Sequence, residues 1–184
     1  MERSGKKYYP KHAAATDYIS RSFWFPLIKS AVIAAAAALI FNTMFGIGVV
    51  SGTSMEPALY DGDVIVFWKY SSLYEKGDII FIKAHGRKDY VKRICGIPGN
   101  VLEFDDDNGL FLVNGEVQKE PHIYEKTYGK IYGKTKISYP LTLSENQYFV
   151  MGDHRSDSLD SRNYGAIGKE QIHGKAVFIF RGRP

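Results

Sequence analysis

A mainly β fold of short, largely antiparallel strands, preceded by one N-terminal transmembrane helix, is what this 184-residue sequence predicts. Three observations predict it. Residues 22–43 carry a single charge, Lys29, and no other charge appears until Glu56; about 20 apolar residues suffice to cross a hydrocarbon core. Beyond them the text changes to short β-branched and aromatic runs. Between those runs stand turn signals, Asp61-Gly62-Asp63, Lys76-Gly77-Asp78, Pro98-Gly99-Asn100, Asn108-Gly109 and Asn114-Gly115, in which glycine and asparagine supply the backbone conformations that hairpins need.

Taken in order, residues 1–21 are polar and basic and read as a cytoplasmic tail. Six basic against two acidic residues up to Val50 account for the whole net charge of +4, so the remainder is neutral. Positive charge beside an apolar segment is the pattern of cytoplasmic retention, and a neutral globular part offers phosphates nothing; nucleic acid is not an expected partner. In the apolar segment Lys29 can snorkel and Trp24 can sit at the interface. A basic stretch followed by an apolar one is also the grammar of a cleaved secretory signal, and Ala34 and Ala36 form an Ala-x-Ala pair. They lie inside the apolar run and not after it, so an uncleaved signal anchor is expected in the cell membrane, with the amino terminus inside and everything past Ser51 outside.

Residues 44–184 then form one extracytoplasmic β domain. Its expected strands are Val64–Trp68, Asp78–Lys83, Asp89–Cys95, Val101–Phe104, Leu110–Val113, Tyr148–Met151 and Lys175–Phe180. The stretch 124–139, rich in tyrosine and lysine, is the least strand-like and reads as an excursion from the core. Cys95 is the only cysteine, which rules out an intramolecular disulfide, and in a strand-like run it is expected to fill core space.

Three places carry chemistry. In a strand, Tyr90, Lys92 and Ile94 share one face, so Lys92 has apolar flanks; desolvation disfavours its ammonium and would make it a base near neutrality. A lysine at a strand edge that reaches back to water reads the same way. Ser54 stands in Ser51-Gly52-Thr53-Ser54-Met55-Glu56-Pro57, where Gly52 allows a substrate backbone to approach and the Ser54 N–H is free to meet a developing oxyanion; a plain loop leaving a membrane helix is the other reading. Finally, Gly152–Arg162 packs acids, arginines and serines closely enough for a hydrogen-bonded network, in which Ser158 could hold a lysine amine while Asp160 and Arg162 pair.

Together these segments resemble the type I signal peptidases, membrane-anchored serine proteases that use a Ser/Lys dyad. The nucleophile box is matched by Ser51–Pro57, the lysine box by Tyr90–Gly99 and the closing box by Gly152–Arg162, with Lys76–Ile80, Leu112–Glu116 and Glu120-Pro121 following the family's course between them. The resemblance runs from the membrane segment nearly to the end and implies the β scaffold shared by signal peptidases and repressor-type proteases. It implies Ser54 as nucleophile, Lys92 as general base, Ser158 as the hydroxyl orienting the amine, and Asp160 and Arg162 as supports. Gly52 replaces the serine that in some members adds a side-chain oxyanion donor, which resembles the members from Gram-positive bacteria; one such donor is worth about 2.7–4 kcal/mol. Other departures are Ala58 for a common threonine, Asn100 for an aspartate and His154 for an asparagine.

The implied substrates are preprotein signal peptides, bound extended beside residues 46–51 and near 83–89 with small side chains in shallow pockets; the other expected partner is the lipid bilayer. No metal or organic cofactor is expected, since His12, His85, His122, His154 and His173 lack ligand spacing. Three alternatives stand beside this reading. One is a Ser-His-Asp triad through His154. Another is a self-cleaving repressor, which would need a DNA-binding helical domain where this chain has a membrane segment. The third is an inactive membrane-anchored β protein that binds extracytoplasmic partners.

Overall fold

Helix α1 (His12–Met44) opens a computed structural model that describes residues 12–83, 89–123, 125–129 and 137–182. The expected basic tail and the excursion at 124–139 fall partly outside the described residues. The chain divides into two compact units, Met1–Thr43 and Met44–Pro184. The span Trp24–Met44, all but its last residue in the first unit, is 21 residues long and apolar enough to cross a membrane. Trp24, Phe25, Ile28, Ile33 and Leu39 are all more than half exposed. A helix apolar on every side and unburied suits lipid and not water. Pro26 lies inside it, and the Ser30 hydroxyl donates to the Pro26 carbonyl at 2.8 Å.

The second unit holds eleven strands among the described residues: β1 (Phe45–Val49), β2 (Val64–Trp68), β3 (Ile79–Ile82), β4 (Tyr90–Gly96), β5 (Val101–Asp105), β6 (Leu110–Val113), β7 (Glu116–Val117), β8 (Leu141–Thr142), β9 (Gln147–Met151), β10 (Ile167–Gly168) and β11 (Ile172–Phe180). Two sheets result, ordered β1-β2-β11-β3-β4-β9-β10 and β7-β6-β5-β8, and every pairing is antiparallel. The fold is therefore mainly antiparallel β with one N-terminal apolar helix.

All seven expected strands are present, five of them with shifted ends, and four more join them. Strands β7, β8 and β10 are two residues long, too short for alternation to show in a sequence. Strand β1 is hidden for another reason, because Phe-Gly-Ile-Gly-Val reads as the tail of the apolar segment. Its glycines make room for aromatic rings: a Cβ on Gly46 would lie 2.2 Å from the Phe67 ring, and one on Gly48 2.4 Å from that of Phe81. Those two rings stack at 4.3 Å.

Three apolar clusters make the core. Val50, Met55, Leu59, Ile65 and Phe81 form the first; Ile80, Ile82, Ile94, Tyr148 and Val150 belong to the second. The third includes Cys95, Leu102, Phe111 and Phe149, and joins the small sheet to the large one. Strand β4 faces all three because its side chains alternate. Its register sets Lys92 opposite Ile80 and Arg93 opposite Met151.

Candidate active site

Ser54 sits in a tight turn between β1 and β2. The Glu56 N–H donates to the Thr53 carbonyl at 2.9 Å and the Leu59 N–H to that of Met55 at 2.9 Å. Met55 and Leu59 are fully buried in the first cluster, each burial worth roughly 1.5–3 kcal/mol, so the serine stands one residue before a firm anchor. Gly52 has φ +93°, in the region that L side chains avoid. A Cβ there would meet nothing within 4 Å among the described residues; the backbone turn, and not crowding, is what asks for glycine. Its N–H donates to Asp61 Oδ1 at 2.8 Å. Among the described residues the Ser54 N–H donates to nothing, as an oxyanion donor requires.

Strand β4 delivers Lys92 to this turn. The amine lies 2.6 Å from Ser54 Oγ, and the residue is 3 % exposed. Burial pushes the Lys92 pKa below its ordinary value; Asp160, Asp153 and Asp157 pull it up, and Arg162 pushes it further down. A neutral amine at this distance can accept the serine proton, and the ammonium so formed can return a proton to a leaving group.

The loop after β9 closes over the pair. Its 3₁₀ turn (Arg155–Asp157) and helix α2 (Ser161–Tyr164) follow Gly152. Asp160 caps α2 and is wholly buried; its carboxylate accepts from the Gly152 N–H at 3.0 Å and from Arg162 Nε and Nη2 at 2.9 and 2.8 Å. Arg162 Nη2 also donates to the Arg155 carbonyl at 2.8 Å. Ser158 Oγ is buried and without a hydrogen-bond partner among the described residues. The hydrogen bond to Lys92 that the resemblance implies is thus not formed, although Ser158 Oγ lies against Gly152, 2.2 Å from where a Cβ would be.

Other residues of this loop hold it to the sheets, and sequence reasoning missed them. Asp153 pairs with Arg93 Nε and Nη2 at 2.8 and 2.6 Å, on the face of β4 opposite Lys92. Arg155, 2 % exposed, forms a bidentate pair with Glu120 at 2.8 and 2.7 Å. Two signals were available. The run Asp160-Ser161-Arg162-Asn163 has capping-box form, and acids and arginines beside an apolar strand seek partners when buried. What the sequence does not show is which partner each one finds.

His154 turns elsewhere. Its Nε2 is 3.5 Å from Glu125 Oε1 while only its backbone N–H meets the serine, donating to the Ser54 carbonyl at 3.1 Å. Burial pushes the Cys95 thiol up to about 12, so it carries no thiolate at neutral pH. Ser54 and Lys92 open onto a groove of about 570 Å³ lined by Ile47, Val49, Met55, Phe81, Tyr90 and Val91. The second flank expected for a bound peptide, 83–89, lies largely outside the described residues.

Comparisons with known proteins bear on this site. The family model described as signal peptidase, peptidase S26, matches residues 24–181. The chain is 34% identical over 165 residues to a signal peptidase I of Bacillus licheniformis, covering 85% of this chain and 88% of that one. It is 35% identical over 185 residues to a signal peptidase I of Bacillus amyloliquefaciens, covering 97% and 94%. A crystal structure of a signal peptidase I from Enterococcus faecalis aligns with a TM-score of 0.42 at 23% identity, over 56% of this chain and 97% of that one. With a family match over most of its length and relatives above 30% identity across it, the chain belongs to the signal peptidase family, peptidase S26.

Proposed function

We propose that this protein is a membrane-anchored serine endopeptidase that removes signal peptides from exported preproteins, with Ser54 as nucleophile and Lys92 as general base. The observation that carries the assignment is the 2.6 Å contact between the Lys92 amine and Ser54 Oγ, made by a lysine whose burial favours the neutral form. Family membership supplies the reaction and the substrate class. The pair supplies the chemistry.

A signal peptide lies extended along β1, pairing its main chain with residues 46–51 and placing small side chains in the groove. Neutral Lys92 takes the Ser54 hydroxyl proton as Oγ bonds to the scissile carbonyl carbon. The oxyanion is met by the Ser54 N–H. The Lys92 ammonium then protonates the departing amine as the C–N bond breaks, leaving an acyl-enzyme. Water attacks the ester, Lys92 takes a proton from it, and Ser54 leaves with that proton restored. Asp160 and Arg162 hold the loop that shields the amine, and Ser158 is the hydroxyl available to orient it.

The exposed apolar span Trp24–Met44 supports anchoring in the cell membrane, with the amino terminus cytoplasmic and the catalytic unit outside. Enzyme and substrate in one bilayer meet by a two-dimensional search, which raises their effective concentration. Val177, Phe178, Ile179 and Phe180, each more than 40 % exposed on β11, suit a unit that works against lipid.

The pH dependence of cleavage tests the base. Activity needs neutral Lys92, so the rate rises with pH through the Lys92 pKa, and the acid limb is expected below the ordinary lysine value of about 10.4. A rate that keeps rising up to that ordinary value would remove Lys92 from the role. His154→Ala is expected to retain substantial cleavage, because its side chain faces Glu125; a dead variant would restore the triad.

A further inference from the structure

Each residue that precedes a hydroxyl of the site is tied to the other. The Thr53 hydroxyl donates to Asp157 Oδ2 at 2.5 Å across 104 residues of sequence; Thr53 precedes Ser54 and Asp157 precedes Ser158. Contacts of this kind between a hydroxyl and a carboxylate are charge-assisted; both residues are exposed, so solvent screens part of that strength and the bond acts by holding geometry. Neither residue touches the Lys92 amine, and the family match gives neither a task.

The nucleophile turn is fixed at four points. Gly52 donates to Asp61, the Thr53 carbonyl accepts from the Glu56 N–H within the turn, the Ser54 carbonyl accepts from His154, and the Thr53 side chain reaches Asp157. The Thr53–Ser54 peptide carries the N–H that must face the oxyanion. Gly52 cannot add a side-chain donor, so the whole electrostatic task at this position falls on the direction of that single N–H. Within the turn the Glu56 N–H, donating to the Thr53 carbonyl, sets one edge of this peptide, and the Thr53 side chain adds a restraint from the closing loop. Threonine is suited to the purpose, because its branched Cβ limits χ1 and transmits a side-chain bond to the backbone.

We propose that the Thr53–Asp157 hydrogen bond is a positioning latch for acyl transfer: it orients the Thr53–Ser54 peptide toward the oxyanion and seats the Ser158 loop against the nucleophile. This rests on Ser54 being the nucleophile. Thr53 and Asp157 are positioning residues, acting through Ser54 and Ser158.

The test uses the full chain in phospholipid vesicles with a preprotein substrate, comparing wild type, Thr53→Val, Thr53→Ser, Asp157→Ala, Asp157→Asn, the Thr53→Val/Asp157→Ala double variant and Ser54→Ala. Thr53→Val and Asp157→Ala are each expected to lower kcat roughly 10- to 100-fold, the scale of a misplaced reacting group, with KM little changed. The double variant should be no worse than either single one, since both remove the same bond, and Thr53→Ser should recover most of the loss. Asp157→Asn should also move the acid limb of kcat to lower pH. It removes one carboxylate that favours the Lys92 ammonium, leaving Asp160 and Asp153 to favour it and Arg162 to oppose it. Thr53→Val should leave that limb in place. Wild-type kcat in Thr53→Val and Asp157→Ala, multiplied losses in the double variant, or Thr53→Ser no better than Thr53→Val would each overturn the latch. Cleavage by Ser54→Ala would instead overturn the nucleophile assignment; an inactive Ser54→Ala beside a fully active Thr53→Val leaves that assignment standing and removes the latch alone.

Discussion

Lys92→Met is expected to lose cleavage by at least ~10⁴-fold, the scale seen when one member of a catalytic unit is removed, while its folded state is no less stable than wild type. The two halves of this expectation come from one fact. Burial lowers the Lys92 pKa, which makes the amine a usable base and also makes it costly to bury. The direction with pH follows from proton counting. Below the ordinary lysine value of about 10.4 the unfolded chain holds a proton at this site that the folded chain gives up more readily. Between the lowered value and the ordinary one, the unfolded state therefore binds more protons and stability rises with pH. The cost is complete below the lowered value and vanishes above the ordinary one. Methionine carries no such cost, so the melting temperature of Lys92→Met should equal or exceed that of wild type at neutral pH, with the difference narrowing as pH rises. A variant that melts well below wild type at neutral pH would mean that the lysine stabilises the fold, and a variant that still cleaves would end its role as base.

Gly152→Ala is the second large effect. Nothing in the backbone angles of Gly152 demands glycine; space does. A Cβ there would lie 2.2 Å from Ser158 Oγ and 2.4 Å from the Ser54 carbonyl oxygen. The second of these is main chain and cannot swing aside, so one methyl group must push the closing loop away from the Ser54 turn. Three other restraints oppose the push, from Asp160 on the Gly152 N–H, from His154 on the Ser54 carbonyl, and from Asp153 on Arg93. The expected outcome is a loss of about 10²-fold or more in kcat/KM, the scale of an ångström-sized displacement, with a destabilisation of about 1–3 kcal/mol typical of overpacking. Steady-state cleavage and urea unfolding check the two parts separately. Wild-type cleavage by Gly152→Ala would show that the closing loop need not touch the Ser54 turn.

Much of the fold was legible because strands announce themselves by alternation and by the turns between them. Val64–Trp68 and Leu110–Val113 appear at the expected bounds. Strand β1 was not legible, since glycines that admit the Phe67 and Phe81 rings look in a sequence like an absence of pattern. In the site, Ser54 and Lys92 stood out locally, one as a hydroxyl among small residues and the other as a charge in an apolar run, and the structure brings them together. Asp160 and Arg162 also pair as expected, two residues apart. The bonds that seat the closing loop could not be read the same way. Arg93 with Asp153 and Arg155 with Glu120 join residues 60 and 35 positions apart, and which acid meets which arginine depends on how the two sheets are threaded. Ser158 shows the reverse, a residue whose role is suggested by family resemblance while its hydroxyl finds no partner among the described residues.

Strand β1 lies at the end of the large sheet, so one row of its main-chain groups has no neighbouring strand among the described residues. Hydrogen bonds to a backbone carry no information about side chains. On the proposed binding mode a clientele gathered by this edge is open-ended: a leader segment can mutate at most of its positions and stay within reach, provided that the few residues facing the groove remain small. On that mode new leader segments can enter the exported set without any change in the enzyme, since the main chain of β1 does the gathering while its Ile47 and Val49 side chains only line the groove.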